Sequence, residues 1–351
     1  MSTFDLLADL SLTVDGYALE DRRNPGGHWV RATTTIHLQG GGEEGLGEDV
    51  TYQPEDHDAL QAAGPTLPLA GEWTLASFCD RIGELDLFPA PPTADVSRLY
   101  RRWAFESAAL DLALRQAGAP LHEVLGRTPV PLTFVNSLRL GEPPSFEPVR
   151  VRLERYPTLR LKLDATSDWS AELFAQLAET GAVDSVDLKG FYRGTVVDQP
   201  PDPVLYQRVV DTFPQAWIED PWLTPKTRPI IEPHRDRVTW DAPIHSLADL
   251  DTLPWPPRMV NVKPSRVGSL RELCATYDTC AQRGIGMYGG GQGELGVGRG
   301  QIQLLAAIFH PDTANDVAPR PYNDAVPPPG LSASPLDPAP AATGFRRAED
   351  S

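Results

Sequence analysis

Five charged residues each close a short apolar run in this chain: Lys162 in LRLKLD, Asp187 in VDSVDLKG, Glu219 in AWIEDP, Asp241 in VTWDAP and Lys263 in VNVKPS. From Asp187 onward they stand 32, 22 and 22 residues apart. A strand reaches the next parallel strand only through a crossover of a dozen or more residues, usually a helix, so this spacing is a strand–helix rhythm. Parallel strands buried on both faces read as apolar runs, and active sites of such folds collect at the strands' carboxyl ends. Three acids ending consecutive strands, with a lysine before and after, describe a divalent-metal site between two bases.

The rhythm predicts strands near 132–137, 158–163, 183–187, 216–219, 237–241, 258–263, 284–288 and 314–318. The clearest helices between them are SAELFAQLAETG, VLYQRVVDTF, SLRELCATYDTCAQRG and GQIQLLAAIF. Eight strands packed this closely suit an α/β fold of the (β/α)8 barrel type better than an open sheet. Residues 1–125 lack the rhythm. LSLTV and HWVRATTTIHL read as strands joined by the polar DGYALEDRRNPGG, and QGGGEEGLGE reads as a glycine-rich turn. Helical periodicity follows in LASFCDRIGEL and RLYRRWAFESAALDLALRQAG, with Gly118 as the stop. The expected organisation is an α+β domain over 1–125, a barrel over 126–324, and a Pro/Ala-rich tail over 325–351 that is either disordered or an extended strap.

Charge and composition narrow the partners. A net charge of −17 opposes nucleic acid, whose affinity depends on neutralising phosphates, and opposes anionic membrane. No apolar run reaches the roughly 20 residues needed to span a bilayer. The acidic N-terminus, without a basic stretch, argues against secretion, and Cys79, Cys274 and Cys280 lack metal-ligand spacing. The expectation is a cytoplasmic protein acting on a small carboxylate substrate, with homo-oligomers left open. Inside a cleft, lysines and a bound cation reverse the overall sign.

Carboxylates on neighbouring barrel strands, about 4.8 Å apart, can converge on one ion. An all-oxygen set selects a hard cation, Mg2+ with Mn2+ as a substitute. Lys162 and Lys263, on opposed strands, would face a substrate from two sides, which suits abstraction of a proton α to a carboxylate with the metal neutralising the developing enediolate. Arg160, two residues before Lys162 and on the same strand face, would lower the lysine's pKa. A lone acid at a strand end is more often a cap or a solvated charge. The ordered set Lys, Asp, Glu, Asp, Lys carries the reading.

These residues resemble the enolase superfamily, specifically its muconate-lactonizing-enzyme-like branch, in which an α+β capping domain precedes a modified barrel. The resemblance rests on Arg160-Leu-Lys162 as the K-x-K motif, Asp187-Leu-Lys189-Gly190 as D-x-N-G, Ile218-Glu219-Asp220-Pro221 as I-E-x-P, Asp241-Ala242 as D-E, and Lys263 followed by Gly268. It implies Asp187, Glu219 and Asp241 as metal ligands and Lys162 and Lys263 as catalytic residues. The outcome would be syn-dehydration, as in o-succinylbenzoate synthase, or racemisation or epimerisation. Ala242 and Lys189 depart from the pattern: the first removes an acid near Lys263, and the second replaces an asparagine near the metal.

The chain also contains a literal G-x-G-x-x-G, GQGELG at Gly291–Gly296, with Asp316 20 residues on. As a dinucleotide turn it would make the protein an NAD(P)-dependent oxidoreductase, but too little chain follows it for a doubly wound sheet. Within a barrel, its amides would approach an anionic substrate group. Gly291, Gln292 and Glu294 are therefore substrate-binding candidates. So are Tyr52 and Arg22, with Tyr17, Arg23 and His57, on the loops 17–27 and 44–57 expected to cap the mouth. A catalytically silent barrel with a binding or structural role is the remaining alternative.

Overall fold

In a computed structural model, residues 1–26, 29–195 and 197–350 are described. Residue 27, the end of one expected capping loop, and residue 28, the start of an expected strand, lie outside them.

The N-terminal part is built on a three-stranded antiparallel sheet in the order β2–β3–β4 (β2 Gly16–Gly26, β3 Trp29–Gly40, β4 Glu43–Asp49). A two-stranded pair lies beside it, β1 (Ser11–Val14) against β5 (Gly71–Thr74). Two segments read as connections are strands here. Gly16–Gly26 of the polar run DGYALEDRRNPGG form β2, with charges pairing at i,i+2, one pair on each face: Arg22 with Glu20, and Arg23 with Asp21. In QGGGEEGLGE only Gly41 and Gly42 turn, at φ 58° and 81°; Gln39 and Gly40 end β3, and the rest is β4. Its alternating glycines serve close approach. A Cβ on Gly45 would lie 2.2 Å from the Ala108 carbonyl oxygen, and one on Gly47 would lie 2.0 Å from that of Ala104. The sheet thus lies directly on the helix Ser97–Gln116, whose apolar residues are buried almost throughout. His57 falls on a helix, Pro54–Ala63, rather than a loop.

From residue 135 the chain forms seven parallel strands in sequential order: β6 Val135–Leu138, β7 Arg160–Asp164, β8 Val183–Asp187, β9 Trp217–Glu219, β10 Val238–Trp240, β11 Met259–Val262 and β12 Gly286–Gly289. The four expected helices are present as Ala171–Thr180, Pro203–Thr212, Leu270–Arg283 and Gly298–Phe309. The first shows why they begin and end where they do. Ser170 caps it by accepting from the Leu173 amide, and Gly181 closes it in the left-handed region.

The eighth expected strand, 314–318, is reduced to a stitch. Asn315 bridges Phe134 beside β6, and Asp316 bridges Gly290 beside β12. The Asn315 side chain reinforces it, accepting from the Gly289 amide at 2.6 Å and donating to the Thr133 carbonyl at 3.0 Å. Backbone bonds from the Val135 amide to the Asn315 carbonyl and from the Asp316 amide to the Gly289 carbonyl, at 2.8 Å each, complete the stitch. The architecture is an antiparallel capping sheet beside a curled parallel barrel sheet. No helix among the described residues is long and apolar enough to cross a membrane.

The tail is ordered and runs back over both parts. Leu336 pairs with Leu132 beside the barrel, and buried Phe345 packs edge-on against Trp103. Buried Asp111 gathers three elements: it accepts from the Leu46 amide at 2.8 Å, the Phe345 amide at 2.6 Å and Arg346 Nε at 2.6 Å. Replacing Asp111 by alanine would strand an arginine and two amides away from water. We expect Asp111→Ala to lose about 3–5 kcal/mol of unfolding free energy, read from denaturant midpoints, with Asp111→Asn intermediate. A loss below about 1 kcal/mol would show that this carboxylate does not hold the tail.

Candidate active site

Each strand from β7 to β11 delivers a charged side chain at or just beyond its carboxyl end. Asp187 ends β8, Glu219 ends β9, and Asp241 follows β10. All three are fully buried, and they offer oxygens within 4.8 Å of one another. Lys162 on β7 and Lys263 after β11 are buried too. Their strands are separated by β8–β10 on one side of the barrel and by β12, the stitch and β6 on the other, so the lysines are opposed as expected.

Every carboxylate in the cluster has a cation on it. Lys162 Nζ lies 2.5 Å from Glu219 Oε1, 3.4 Å from Asp316 and 3.7 Å from Asp187. Lys263 Nζ is 2.7 Å from Asp241 Oδ2, and Arg266 Nη1 is 2.5 Å from Asp241 Oδ1. Lys189 folds back onto Asp187, placing its amide 2.8 Å from Oδ1 and its Nζ 2.5 Å from Oδ2. Burial alone would raise Asp187 and Asp241. Lys189 and Lys162 outweigh it at the first, and Arg266 and Lys263 at the second, holding both below the usual carboxylate range.

Burial would lower Lys162, but Glu219, Asp316 and Asp187 hold it well above the lysine range. Lys263 goes the other way, lowered by burial with Arg266 and Lys162 assisting against Asp241. Arg160 contributes little to either. It stands half-exposed at the entry of β7, bonded to Asp184 and the Gly181 carbonyl. The strand carries it away from the mouth, which corrects its expected role. The cation that presses on Lys263 is Arg266, one helical turn after it and legible only once Pro264–Val267 is known to be helical.

Three further residues complete the cluster. Tyr288 is buried on β12, and its hydroxyl donates to Glu219 Oε2 at 2.7 Å. Tyr192 donates to Asp241 Oδ2 at 3.2 Å. Asp220, at φ 50°, accepts from the amides of Asp241 and Ala242 at 2.8 Å each and so orients Asp241. Burial and the charges of Asp241 and Asp187 push Asp220 up to about 7.

The cluster fits a divalent cation. Asp164, Asp187, Glu219, Asp220, Asp241 and Asp316 face Lys162, Lys189, Lys263 and Arg266, a formal excess of two negative charges before the half-exposed Arg139 is counted. Burial together with Asp187 and Asp241 presses Glu219 well above the carboxylate range despite Lys162. Oxygen donors without His or Cys match a hard ion. A cavity of about 780 Å³ opens beside the cluster, lined by Arg139, Asp164, Thr166, Asp168 and Trp169 among others.

The glycine loop serves a different purpose from the expected one. The amides of Leu295, Gly296 and Gly298 do converge on an anion at a helix N-terminus, but it is Glu48 of β4, at 2.6–3.0 Å. Arg31 adds bonds to the carbonyls of Gln292 and Gly293. Gln292 takes the Tyr52 hydroxyl at 2.9 Å, and Glu294 accepts the Gln292 amide and pairs with Arg299. At Gly291 a Cβ would meet Glu294 Oε2 at 2.4 Å. The loop is a clasp between the capping sheet and the barrel, with the amides of Gln292, Leu295, Gly296 and Gly298 taken by carboxylates of the chain itself. Asp316, the acid of the dinucleotide reading, faces Lys162.

Arg22, bonded to Glu20 and Thr35, packs against the clasp at Gly296, where a Cβ would lie 3.0 Å from its Nε. Buried Tyr17 and His57 bond within the capping part, to Leu67 and to Thr34 and Thr51 respectively, and Arg23 pairs with Asp21 and Asp58. Tyr52 packs edge-on against Tyr100.

Comparison with known proteins follows the same lines. The family described as Domain of unknown function (DUF8230) matches through its N-terminal domain at residues 5–124 and its C-terminal domain at 128–324. Among curated proteins, o-succinylbenzoate synthase of Geobacillus kaustophilus is 26% identical over 56% of this chain and 52% of its own length. That of Geobacillus stearothermophilus is 26% identical over 61% and 58%. The chain thus spans little more than half the length of these relatives. Among solved structures, dipeptide epimerase from Methylococcus capsulatus complexed with Mg ion superposes with a TM-score of 0.67 at 19% identity, over 87% of this chain and 90% of that one. Muconate lactonizing enzyme superposes at 0.62 and 18%, over 87% and 88%. The chain belongs to the DUF8230 family and has the fold of the enolase superfamily.

Removing the clasp's anion should loosen the capping sheet. In Glu48→Ala we expect the amides of Leu295, Gly296 and Gly298 to exchange hydrogen at least tenfold faster by mass spectrometry. Unchanged protection there would mean that the carboxylate does not hold the loop.

Proposed function

We propose, from this family membership and fold, that the chain is a divalent-metal-dependent lyase or isomerase that removes the α-proton of a small carboxylate substrate. The observation that carries the reading is the triad Asp187, Glu219 and Asp241, buried on consecutive strands between two buried, opposed lysines. The three carboxylates would hold the cation, with Mg2+ the best match and Mn2+ a substitute. Bound there, the cation supplies positive charge to the substrate carboxylate and relieves the hold of the three acids on Lys162. On this reading residues 1–125 cap the mouth, 126–324 carry the chemistry and 325–351 strap the two together.

The residues then divide the work. Lys162 exchanges the α-proton on one face of the substrate. Lys263 faces the other side, and burial with Arg266 keeps its ammonium easier to deprotonate. In a racemisation or epimerisation both transfer protons. In a syn-dehydration of the o-succinylbenzoate synthase kind, Lys162 alone does so and Lys263 stabilises the enediolate by its charge. One observation favours a second reading. Each carboxylate of the triad is already paired with a cation of the chain, which would also suit a catalytically silent barrel.

A deuterium-exchange screen over a carboxylate library, with and without Mg2+, separates these. We expect metal-dependent exchange at the α-carbon, abolished in Lys162→Ala. Lys263→Arg keeps the charge but cannot deprotonate, so it should retain part of an elimination and lose a two-base reaction. Full exchange by Lys162→Ala would refute the scheme. Metal binding without exchange of any substrate would leave the silent barrel.

A further inference from the structure

Lys189 is the cation of the cluster that neither base chemistry nor packing requires. We infer that it is a tethered counter-ion: it neutralises Asp187 when no metal is bound, opposes binding of the divalent cation, and passes to Asp164 when that cation takes Asp187. The inference rests on the metal-site reading above and concerns only how that site is tuned.

The backbone is built for this contact. Lys189 sits at φ 50°, the left-handed region that side chains other than glycine, asparagine and aspartate rarely enter. That conformation turns the chain back within two residues, so amide and ammonium reach the two oxygens of one carboxylate. The following residue fixes the turn. The Gly190 amide donates to the Asp220 carbonyl at 3.0 Å, and a Cβ there would lie 2.5 Å from both the Asp220 oxygen and the Trp222 nitrogen. The ammonium cannot drift away with its loop.

Its second partner is already in place. Asp164 ends β7, and its Oδ1 lies 3.2 Å from Lys189 Nζ, outside hydrogen-bond geometry and without another hydrogen bond, although buried. The other Asp164 oxygen is 3.8 Å from Arg139. The Tyr192 ring, 5.0 Å from Nζ, flanks the ammonium. A small rotation of the lysine side chain would exchange a bond to Asp187 for one to Asp164, with no buried charge left unpaired at either end. A purely structural salt bridge has no need of a second acceptor poised beside it.

The test is calorimetric titration of Mg2+ into the full-length protein, stripped of metal, at fixed pH and ionic strength. Four proteins are compared: wild type, Lys189→Asn, Asp164→Asn and the double variant. Asparagine tolerates the left-handed backbone and cannot carry the charge, and circular dichroism confirms folding. We expect Lys189→Asn to bind at least tenfold more tightly, about 1.4 kcal/mol, and Asp164→Asn to bind more weakly. The Asp164 effect should shrink at least threefold where Lys189 is absent. Binding by wild type with equal or weaker binding by folded Lys189→Asn would overturn this inference alone. Absence of binding in all four would overturn the metal site, and this inference with it.

Discussion

The structure depends on how six carboxylates, five of them buried and Asp316 partly exposed, are held together at one point. A buried, unpaired carboxylate is costly enough that it normally takes up a proton, and several together repel one another strongly at low dielectric. Here four cations stand among them: Lys162, Lys189, Lys263 and Arg266. They leave a deficit of two positive charges, expressed as the raised affinity of Glu219 and Asp220 for protons. The parallel sheet makes this arrangement available, since consecutive strand ends lie side by side. The charge deficit fits the arrangement to a divalent ion.

The second constraint is closure from above. The capping sheet is joined to the barrel by charge-assisted bonds as well as apolar packing: Glu48 on three loop amides, Arg31 on two loop carbonyls, and Asp111 on the tail. These join segments more than 200 residues apart in sequence. The helix N-terminus that could have met an external anion is thereby occupied by Glu48.

The sequence already contained most of what positions the cluster. Apolar runs ended by charges mark the strands because strands buried on both faces must be apolar, and the ordered charges pick out the three acids that the fold brings together. What it did not contain was contact across the fold. Nothing local distinguishes a glycine loop that cradles a substrate from one that receives Glu48, since both need the same free amides. Gly45 and Gly47 looked like a turn because glycine gives the same signal when a strand must approach a helix closely. Arg160 was assigned by strand parity alone, which fixes the face of the sheet but not the height along the barrel. The strand–helix rhythm places an eighth strand at 314–318, whereas the closure there is two single bridges to which the Asn315 side chain adds its bonds.

The central claim is that Asp187, Glu219 and Asp241 act together on one ion. Mn2+ is a paramagnetic substitute for Mg2+, and electron paramagnetic resonance reports its free concentration directly. The account predicts one Mn2+ bound per chain, displaced competitively by Mg2+, with affinity falling at least a hundredfold in Glu219→Ala. Unchanged Mn2+ affinity in a folded Glu219→Ala protein would contradict it.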